Sequence, residues 1–242
     1  IEKEEEEKTK ETNNNIGFIG TGNYSSNILI PKFFEAGANL YSVVSNTGLG
    51  PMSIGKKYGF KKVGTDVKEL LQDKKCTSVV IATRHNSHAG LIQEALYNGK
   101  SVFVEKPFTV KRAEAVELNA IAAELGLTIG VDHTFIYSGA VKKIKTLIDS
   151  GEIGDVLYID SVRINLGLFR DDVNVVYDLA PHDLAIGNHL IRSAPKKIRA
   201  VGIGSRMQDH VSGAYLFIEF EGPKFMTVHV NWMSPVKVRR ML

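Results

Sequence analysis

Three groups of residues in this chain have types and spacings suited to moving a hydride. A glycine-rich turn, Gly20-Thr21-Gly22-Asn23-Tyr24-Ser25, closes the first apolar segment. The run Val102-Phe103-Val104-Glu105-Lys106-Pro107-Phe108 reads as a buried strand that stops abruptly on a carboxylate, an ammonium and a proline. Asp178-Leu179-Ala180-Pro181-His182-Asp183 reads as a helix start with a carboxylate and an imidazole one turn apart.

Each group has a chemical rationale. In the turn, Gly20 permits a tight reversal and Gly22 lets a pyrophosphate approach the backbone. Asn23 and Tyr24 lead into a helix whose first N–H groups and dipole favour an anion. Ser25 stands where a third glycine is usual, and a small residue there still allows close helix–strand packing. Removing a hydride from a secondary alcohol requires a group to accept the hydroxyl proton. His182 is the candidate, because an imidazole ordinarily titrates near neutral pH. Asp178 shares its helix face and is placed to hydrogen-bond either the imidazole or a substrate hydroxyl. Lys106 lies at the C-terminal end of a strand, where open α/β sheets bind ligands, and its ammonium suits a developing alkoxide. Glu105 is placed to position the nicotinamide amide or the lysine. Pro107 fixes the backbone beside them and is compatible with a cis bond.

The elements that must hold these groups alternate from Ile16 onward. Apolar strands are expected at 16–20, 40–45, 78–82, 101–104 and 128–131. Helices are expected at 24–36, 52–58, 66–72, from Asn86 or Ser87 to the Asn98-Gly99 stop, and at 110–125. Strands alternating with helices imply right-handed crossovers and a parallel sheet. The G-x-G turn therefore sits in the β-α-β context that gives it meaning. After His133 the pattern changes. Helices at 140–149 and 178–191 and a strand at 156–165 are followed by strands at 198–205, 213–220 and 225–232. The last two are joined as a hairpin by Glu221-Gly222-Pro223. The expected fold class is α/β: a Rossmann domain over 16–133, then an α+β domain over 134–242 with a mostly antiparallel open sheet. Residues 1–15, IEKEEEEKTKETNNN, have almost nothing to bury and read as a mobile tail.

Composition bounds the function. The 242 residues are 43% hydrophobic and 24% charged, with a net charge of +3. The lysine pairs lie on helix faces without interleaved aromatics, so nucleic acid is not expected as a partner. No apolar run reaches the ~20 residues of a bilayer span, and the acidic start is not a secretory signal. Cys76 is the single cysteine and heads an apolar strand, so it reads as a small core residue in a reducing cytosol. A cytoplasmic location is expected. His189 follows His182 by seven residues without a third ligand, so no metal is expected. His133, His210 and His229 read as ordinary strand residues.

With these motifs in view, the chain resembles the glucose-fructose oxidoreductase/inositol dehydrogenase (Gfo/Idh/MocA) family. The resemblance is carried by Gly20-Thr21-Gly22, Ala82-Thr83-Arg84-His85-Asn86-Ser87-His88, Asn98 through Pro107, and the Asp178…His182 pair. It runs from Ile16 to the C-terminus. Asn165-Leu166-Gly167-Leu168-Phe169 and the segment 178–183 look like enzymes that oxidise UDP-linked amino sugars at C3. The Thr-Arg-His-Asn-Ser-His stretch looks like a neighbouring branch of two-domain oxidoreductases. The resemblance implies a small sugar or nucleotide-sugar substrate and a homo-oligomer formed through the C-terminal sheet. Family members run on past the point where this chain stops, which suggests a piece of a longer protein with an uncovered sheet edge.

On this reading Gly20, Gly22, Asn23, Tyr24, Ser45, Asn46, Thr83, His88 and Glu105 belong to the cofactor site. Arg84, His85, Tyr137, Arg163 and Asn165 are candidates for substrate or its phosphates. The second strand ends Ser45-Asn46-Thr47, with neither the acid that selects NAD nor an arginine for a 2′-phosphate. NAD is the expected cofactor, and NADP is not excluded. The competing readings are a cyclitol or free-sugar dehydrogenase and a non-catalytic dinucleotide sensor. A weaker one is an assembly partner that uses the open sheet.

Overall fold

The computed structural model describes residues 14–46, 49–167, 169, 172–205 and 208–242. The expected tail falls almost entirely on residues outside this range. Its last two residues do not belong to it. Asn15 opens strand β1 (Asn15–Ile19), and the Ser78 hydroxyl donates to Asn14 Oδ1 at 2.8 Å. The chain divides into two compact units.

The first unit runs to Thr83 and includes Gly90–Val104 and Leu118–Gly130. Its strands are β1, β2 (Asn39–Val44), β3 (Lys62–Gly64), β4 (Ser78–Ile81), β5 (Ser101–Val104) and β6 (Ile129–Val131). They form one sheet in the order β3-β2-β1-β4-β5-β6, and the pairings from β3 through β5 are parallel. Val79, Val80 and Ile81 are buried because helices cover both faces of such a sheet. Phe18 packs edge-on against Phe33 and Phe60 at 5.4 and 5.8 Å between ring centres. Chain order reverses between β1 and β4, and Gly20 follows the C-terminal end of β1 at that point, where such sheets bind ligands. Cys76 is a buried free thiol, in keeping with a core role.

Two local expectations need correction here. The three-residue β3 was not anticipated, because Lys62-Val63-Gly64 is too short to show a period. The first helix is not uniform: a π-helical turn, Ser25–Leu29, runs into α1 (Ile30–Glu35). Pro31 has no N–H to close an α-helical bond and its ring crowds the preceding turn, so the backbone widens there. The helix expected to open at Asn86 or Ser87 begins directly after Ser87. Residues His85–Ser87 form a 3-10 turn, Ser87 Oγ donates to the Arg84 carbonyl at 2.7 Å, and the helix that follows (His88–Tyr97) starts at His88.

The second unit contains Arg84–Ala89, Glu105–Glu117 and Val131–Leu242. Two loops that follow strands β4 and β5 in the chain thus group with the C-terminal part. Its helix Gly139–Asp149 and strand β7 (Tyr158–Leu166) precede the long helix Val175–Ile191, here named α2. Strands β8 (Pro195–Ser205), β9 (Gln208–Phe220), β10 (Phe225–Asn231) and β11 (Met233–Met241) follow. The sheet order is β11-β7-β10-β9-β8, antiparallel except for β7 beside β10. Strand β11 was not anticipated, since Ser234-Pro235 and the lysine and arginines after it obscure any alternation. Met226, Val228 and Val230 of β10 alternate inward to meet Ile186, Leu190 and Ile191 of α2. On the opposite face Tyr158, Tyr215, Phe217 and Phe225 remain 41–51% exposed.

Candidate active site

The glycine turn is explained by its backbone. Gly20 has φ +101°, and a Cβ there would lie 2.5 Å from the Ala82 carbonyl oxygen at the end of β4. Only glycine fits, because the obstacle is main chain and the dihedral is left-handed. Thr83 is brought to the same place, its Cγ2 lying 3.2 Å from that position. Gly22 is exposed, and a Cβ on it would meet nothing within 4 Å, which leaves room for a ligand over the turn. Ser25 is fully buried and its hydroxyl donates to the Gly20 carbonyl at 2.8 Å, so the third position ties the turn to the helix. Asn23 is exposed, Tyr24 and Ser45 are half-buried and Asn46 is exposed. These groups are all in the first unit, and their geometry suits a dinucleotide.

The second unit brings the acid–base candidates together. Lys106 Nζ donates to the backbone carbonyl of Asp178 at 2.7 Å and to its Oδ1 at 3.3 Å. Both side chains are nearly buried, at 12% and 13% exposure. The other carboxylate oxygen, Asp178 Oδ2, accepts from Trp232 Nε1 at 3.1 Å. Trp232 is 1% exposed and is the chain's single tryptophan. It is the clearest omission from the sequence reading, and its signal was a lone indole, which when buried needs an acceptor. The Lys106–Pro107 peptide is cis.

Asp178 is not the start of its helix. Asn174 is the cap, its Oδ1 accepting from Val176 and Tyr177 N–H at 3.0 and 3.2 Å, and Asp178 lies in the first turn. Asp178 serves the lysine and the indole, not the imidazole four residues later. His182 Nδ1 is buried without a partner, and Phe135 packs edge-on to the ring at 4.7 Å. Burial pushes the His182 pKa down to about 3, aided by Lys106, Arg163 and His133 and opposed by Asp178. The expectation of titration near neutrality fails for that reason. His133, read as an ordinary strand residue, also has a buried, unpartnered Nδ1 and a pKa lowered by burial.

Arg163, a candidate for substrate or its phosphates, is paired within the chain. It is buried and donates to Asp183 from Nε at 2.6 Å and Nη2 at 3.2 Å, and its guanidinium lies 4.7 Å from the Phe135 ring centre. Ser161 Oγ donates to the same carboxylate at 2.8 Å. The sequence hid this because Arg163 and Asp183 sit on different elements. His88 is completely buried, and its Nδ1–H donates to the Pro107 carbonyl at 2.8 Å, bracing the lysine loop. His85 lies 3.1 Å through Nδ1 from Asp172 Oδ2, a partner that spacing alone did not reveal. Burial lowers the His85 pKa, while Asp172 opposes the shift. Glu105 is half-buried beside Lys106, Asn165 is half-buried on β7, Arg84 is exposed and Tyr137 is 68% exposed. Leu168 of the Asn165–Phe169 stretch lies outside the described residues. Among the described residues no cluster of His, Cys, Asp or Glu is arranged to hold a metal ion. No described helix is long and apolar enough to cross a membrane.

Comparisons with known proteins agree with this architecture. Residues 14–133 match the model of the oxidoreductase family with an NAD-binding Rossmann fold, GFO_IDH_MocA. The uncharacterised oxidoreductase YdgJ of Escherichia coli (strain K12) is 30% identical over 179 residues, 69% of this chain and 50% of that protein. The scyllo-inositol 2-dehydrogenase (NAD(+)) of Bacillus subtilis (strain 168) is 26% identical over 192 residues, 75% of this chain and 56% of that protein. The chain thus spans about half the length of the curated relatives it matches. Among solved structures, UDP-N-acetylglucosamine 3-dehydrogenase GnnA from Acidithiobacillus ferrooxidans superposes with a TM-score of 0.80. It covers 94% of this chain and 72% of that one at 22% identity, a likeness of fold. The glycine turn, the reversed strand order and the matched model together place residues 14–133 in the Gfo/Idh/MocA family of oxidoreductases.

Proposed function

We propose that the protein is an NAD(P)-dependent dehydrogenase that transfers a hydride between a secondary hydroxyl of a sugar and nicotinamide. The observation that carries this reading is Lys106, an ammonium nearly buried and held by two oxygens of Asp178. Two of its three N–H donors are thereby oriented, and the third is left for a substrate oxygen. An ammonium so placed stabilises the negative charge that grows on that oxygen as the hydride leaves. Asp178 is held in turn by Trp232, so the lysine has a rigid base. His182, kept neutral, contributes a hydrogen bond at the reacting hydroxyl.

The cofactor, when bound, supplies the hydride acceptor or donor. The Gly20–Ser25 turn would hold its pyrophosphate, with Asn23, Tyr24 and Thr83 around it, and Ser45 or Asn46 would meet the ribose. NAD is the first choice and NADP the second, because no carboxylate there repels a 2′-phosphate. A UDP-linked amino sugar reacting at C3 is the substrate to test first, with cyclitols second. The activities for which the Acidithiobacillus and Bacillus proteins are named support these two classes respectively. A second copy of the chain is the proposed partner, joined through the exposed aromatic face of the C-terminal sheet, and the proposed location is the cytoplasm.

The test combines calorimetric titration with NADH and NADPH and turnover assays on Lys106→Ala. The variant should keep cofactor affinity and lose about 10²–10³-fold in kcat. Unchanged turnover in the variant, or a folded chain that binds neither nucleotide, would overturn the reading.

A further inference from the structure

Two oxygens of Asp178 hold Lys106, and they differ in grip. The backbone carbonyl, 2.7 Å from Nζ, belongs to helix α2 and cannot turn. The carboxylate reaches Nζ from Oδ1 at 3.3 Å, a longer bond that by itself leaves the side-chain torsions free. The second carboxylate oxygen removes that freedom. Trp232 Nε1–H donates to Oδ2 at 3.1 Å, so each oxygen has its own donor and the plane of the carboxylate is fixed. An indole N–H only donates, so it holds the carboxylate without exchanging a proton with it.

The indole is held in its turn. It is 1% exposed, and Phe169 meets it edge-on at 5.8 Å between ring centres. Main chain pins the residue on both sides: Trp232 N–H donates to the Ser212 carbonyl at 2.9 Å, and Gly167 N–H donates to the Trp232 carbonyl at 3.1 Å. A Cβ on Gly167 would lie 3.4 Å from Trp232 Cδ1 and 2.8 Å from Asn165 Nδ2, so the end of β7 fits closely beside the ring. Gly167 and Phe169 belong to the Asn165–Phe169 stretch that the sequence linked to substrate choice.

We propose that Trp232 is a positioning residue for hydride transfer, aligning the Asp178 carboxylate on Lys106, and that Gly167 and Phe169 act on the reaction through its ring. The proposal rests on the dehydrogenase reading above. The indole takes part in no covalent step and meets neither substrate nor cofactor. Its effect falls on the transition state. Negative charge grows on the substrate oxygen only as the hydride leaves, and the ammonium must already point at that oxygen when it does. Loss of the alignment therefore shows in kcat and leaves cofactor affinity alone.

The experiment has a kinetic arm and a spectroscopic arm. Trp232 is the single tryptophan, so growth on benzothienylalanine replaces it alone with an isostere whose sulfur cannot donate. That protein should lose about 10–100-fold in kcat, the size of a hydrogen bond to a charged group, and keep its affinity for NADH. Trp232→Phe should lose at least as much. Phe169→Ala keeps the N–H and removes the edge contact, so its kcat should fall in the same sense and by less. In NMR the single indole N–H resonance should move upfield in Asp178→Asn, because the acceptor loses its charge. An isosteric protein within about threefold of wild-type kcat, or an indole resonance unmoved in Asp178→Asn, overturns this proposal alone. Full kcat in Phe169→Ala overturns the part assigned to the end of β7. A wild-type protein that binds NADH and oxidises no sugar or cyclitol overturns the dehydrogenase reading and this proposal with it. If Trp232→Phe does not fold, the isostere and the resonance still decide.

Discussion

At the scale of single residues, the site is organised by who partners whom, and the partners set the charges. Lys106 has Asp178, Asp178 has Trp232, Arg163 has Asp183, and His182 Nδ1 has nothing. The last fact predicts a pH dependence of stability. An unfolded histidine titrates near about 6.5, whereas folded His182 does so at about 3. Between those values the unfolded chain binds more protons. Stability is therefore full above about pH 6.5 and falls as pH drops, by up to about 1.4 kcal/mol per pH unit from this group. Burial lowers His85 and His133 as well, adding to the same trend. Urea unfolding followed by Trp232 fluorescence should show it, and His182→Leu should flatten the slope between pH 4.5 and 6.5. An unchanged slope would mean the imidazole is not held neutral. Asp183→Asn tests the second buried pair. It leaves the Arg163 guanidinium uncompensated beneath Phe135 and should cost about 3–5 kcal/mol by the same assay.

At the scale of elements, the strand ends and helix starts decide where these residues stand. Helix α2 is placed by Asn174, four residues upstream of the Asp-led start that was expected, so Asp178 points at Lys106 instead of capping. The turn after β1 depends on a main-chain approach: the Ala82 carbonyl leaves no space for a side chain on Gly20. Gly20→Ala should therefore abolish NADH binding and destabilise the first unit by about 2 kcal/mol or more, combining a left-handed dihedral with a backbone clash. Gly22→Ala makes the informative contrast. With open space around it, that variant should fold normally and lose only cofactor affinity, read by calorimetry against thermal melting. Residues that follow strands β4 and β5 were legible as site residues because strand-end position carries information without any partner. Asp172, Trp232 and Asp183 were not, because nothing local marks a contact made across dozens of residues.

At the scale of the whole molecule, the second unit carries a sheet face whose aromatic side chains remain largely exposed among the described residues. Tyr158 stacks on Phe225 at 5.5 Å and Tyr215 on His229 at 4.1 Å between ring centres, making an ordered, flat surface. Phe217 is 47% exposed on the same face. A contiguous apolar surface of this kind favours association. Sedimentation equilibrium should show self-association of the wild type, and Phe217→Lys should shift the distribution toward monomer. A wild type that stays monomeric at high concentration would remove the second copy as partner.

The sequence by itself determined the alternation of strands and helices, the parallel first sheet, the glycine turn and the two motifs that carry Lys106 and His182. Those features rest on short-range rules: side-chain period, turn chemistry and residues a few positions apart. Tertiary structure alone decided that Asp178 holds Lys106, that His182 is desolvated, and that Asp172 faces His85. It also decided that Arg163 is spent on Asp183 and that β11 completes the second sheet. Each of these depends on distance in space between residues far apart in the chain, and on burial, which sets what a charge costs. The chemistry of a side chain can be read from its name. Its protonation state follows from its surroundings.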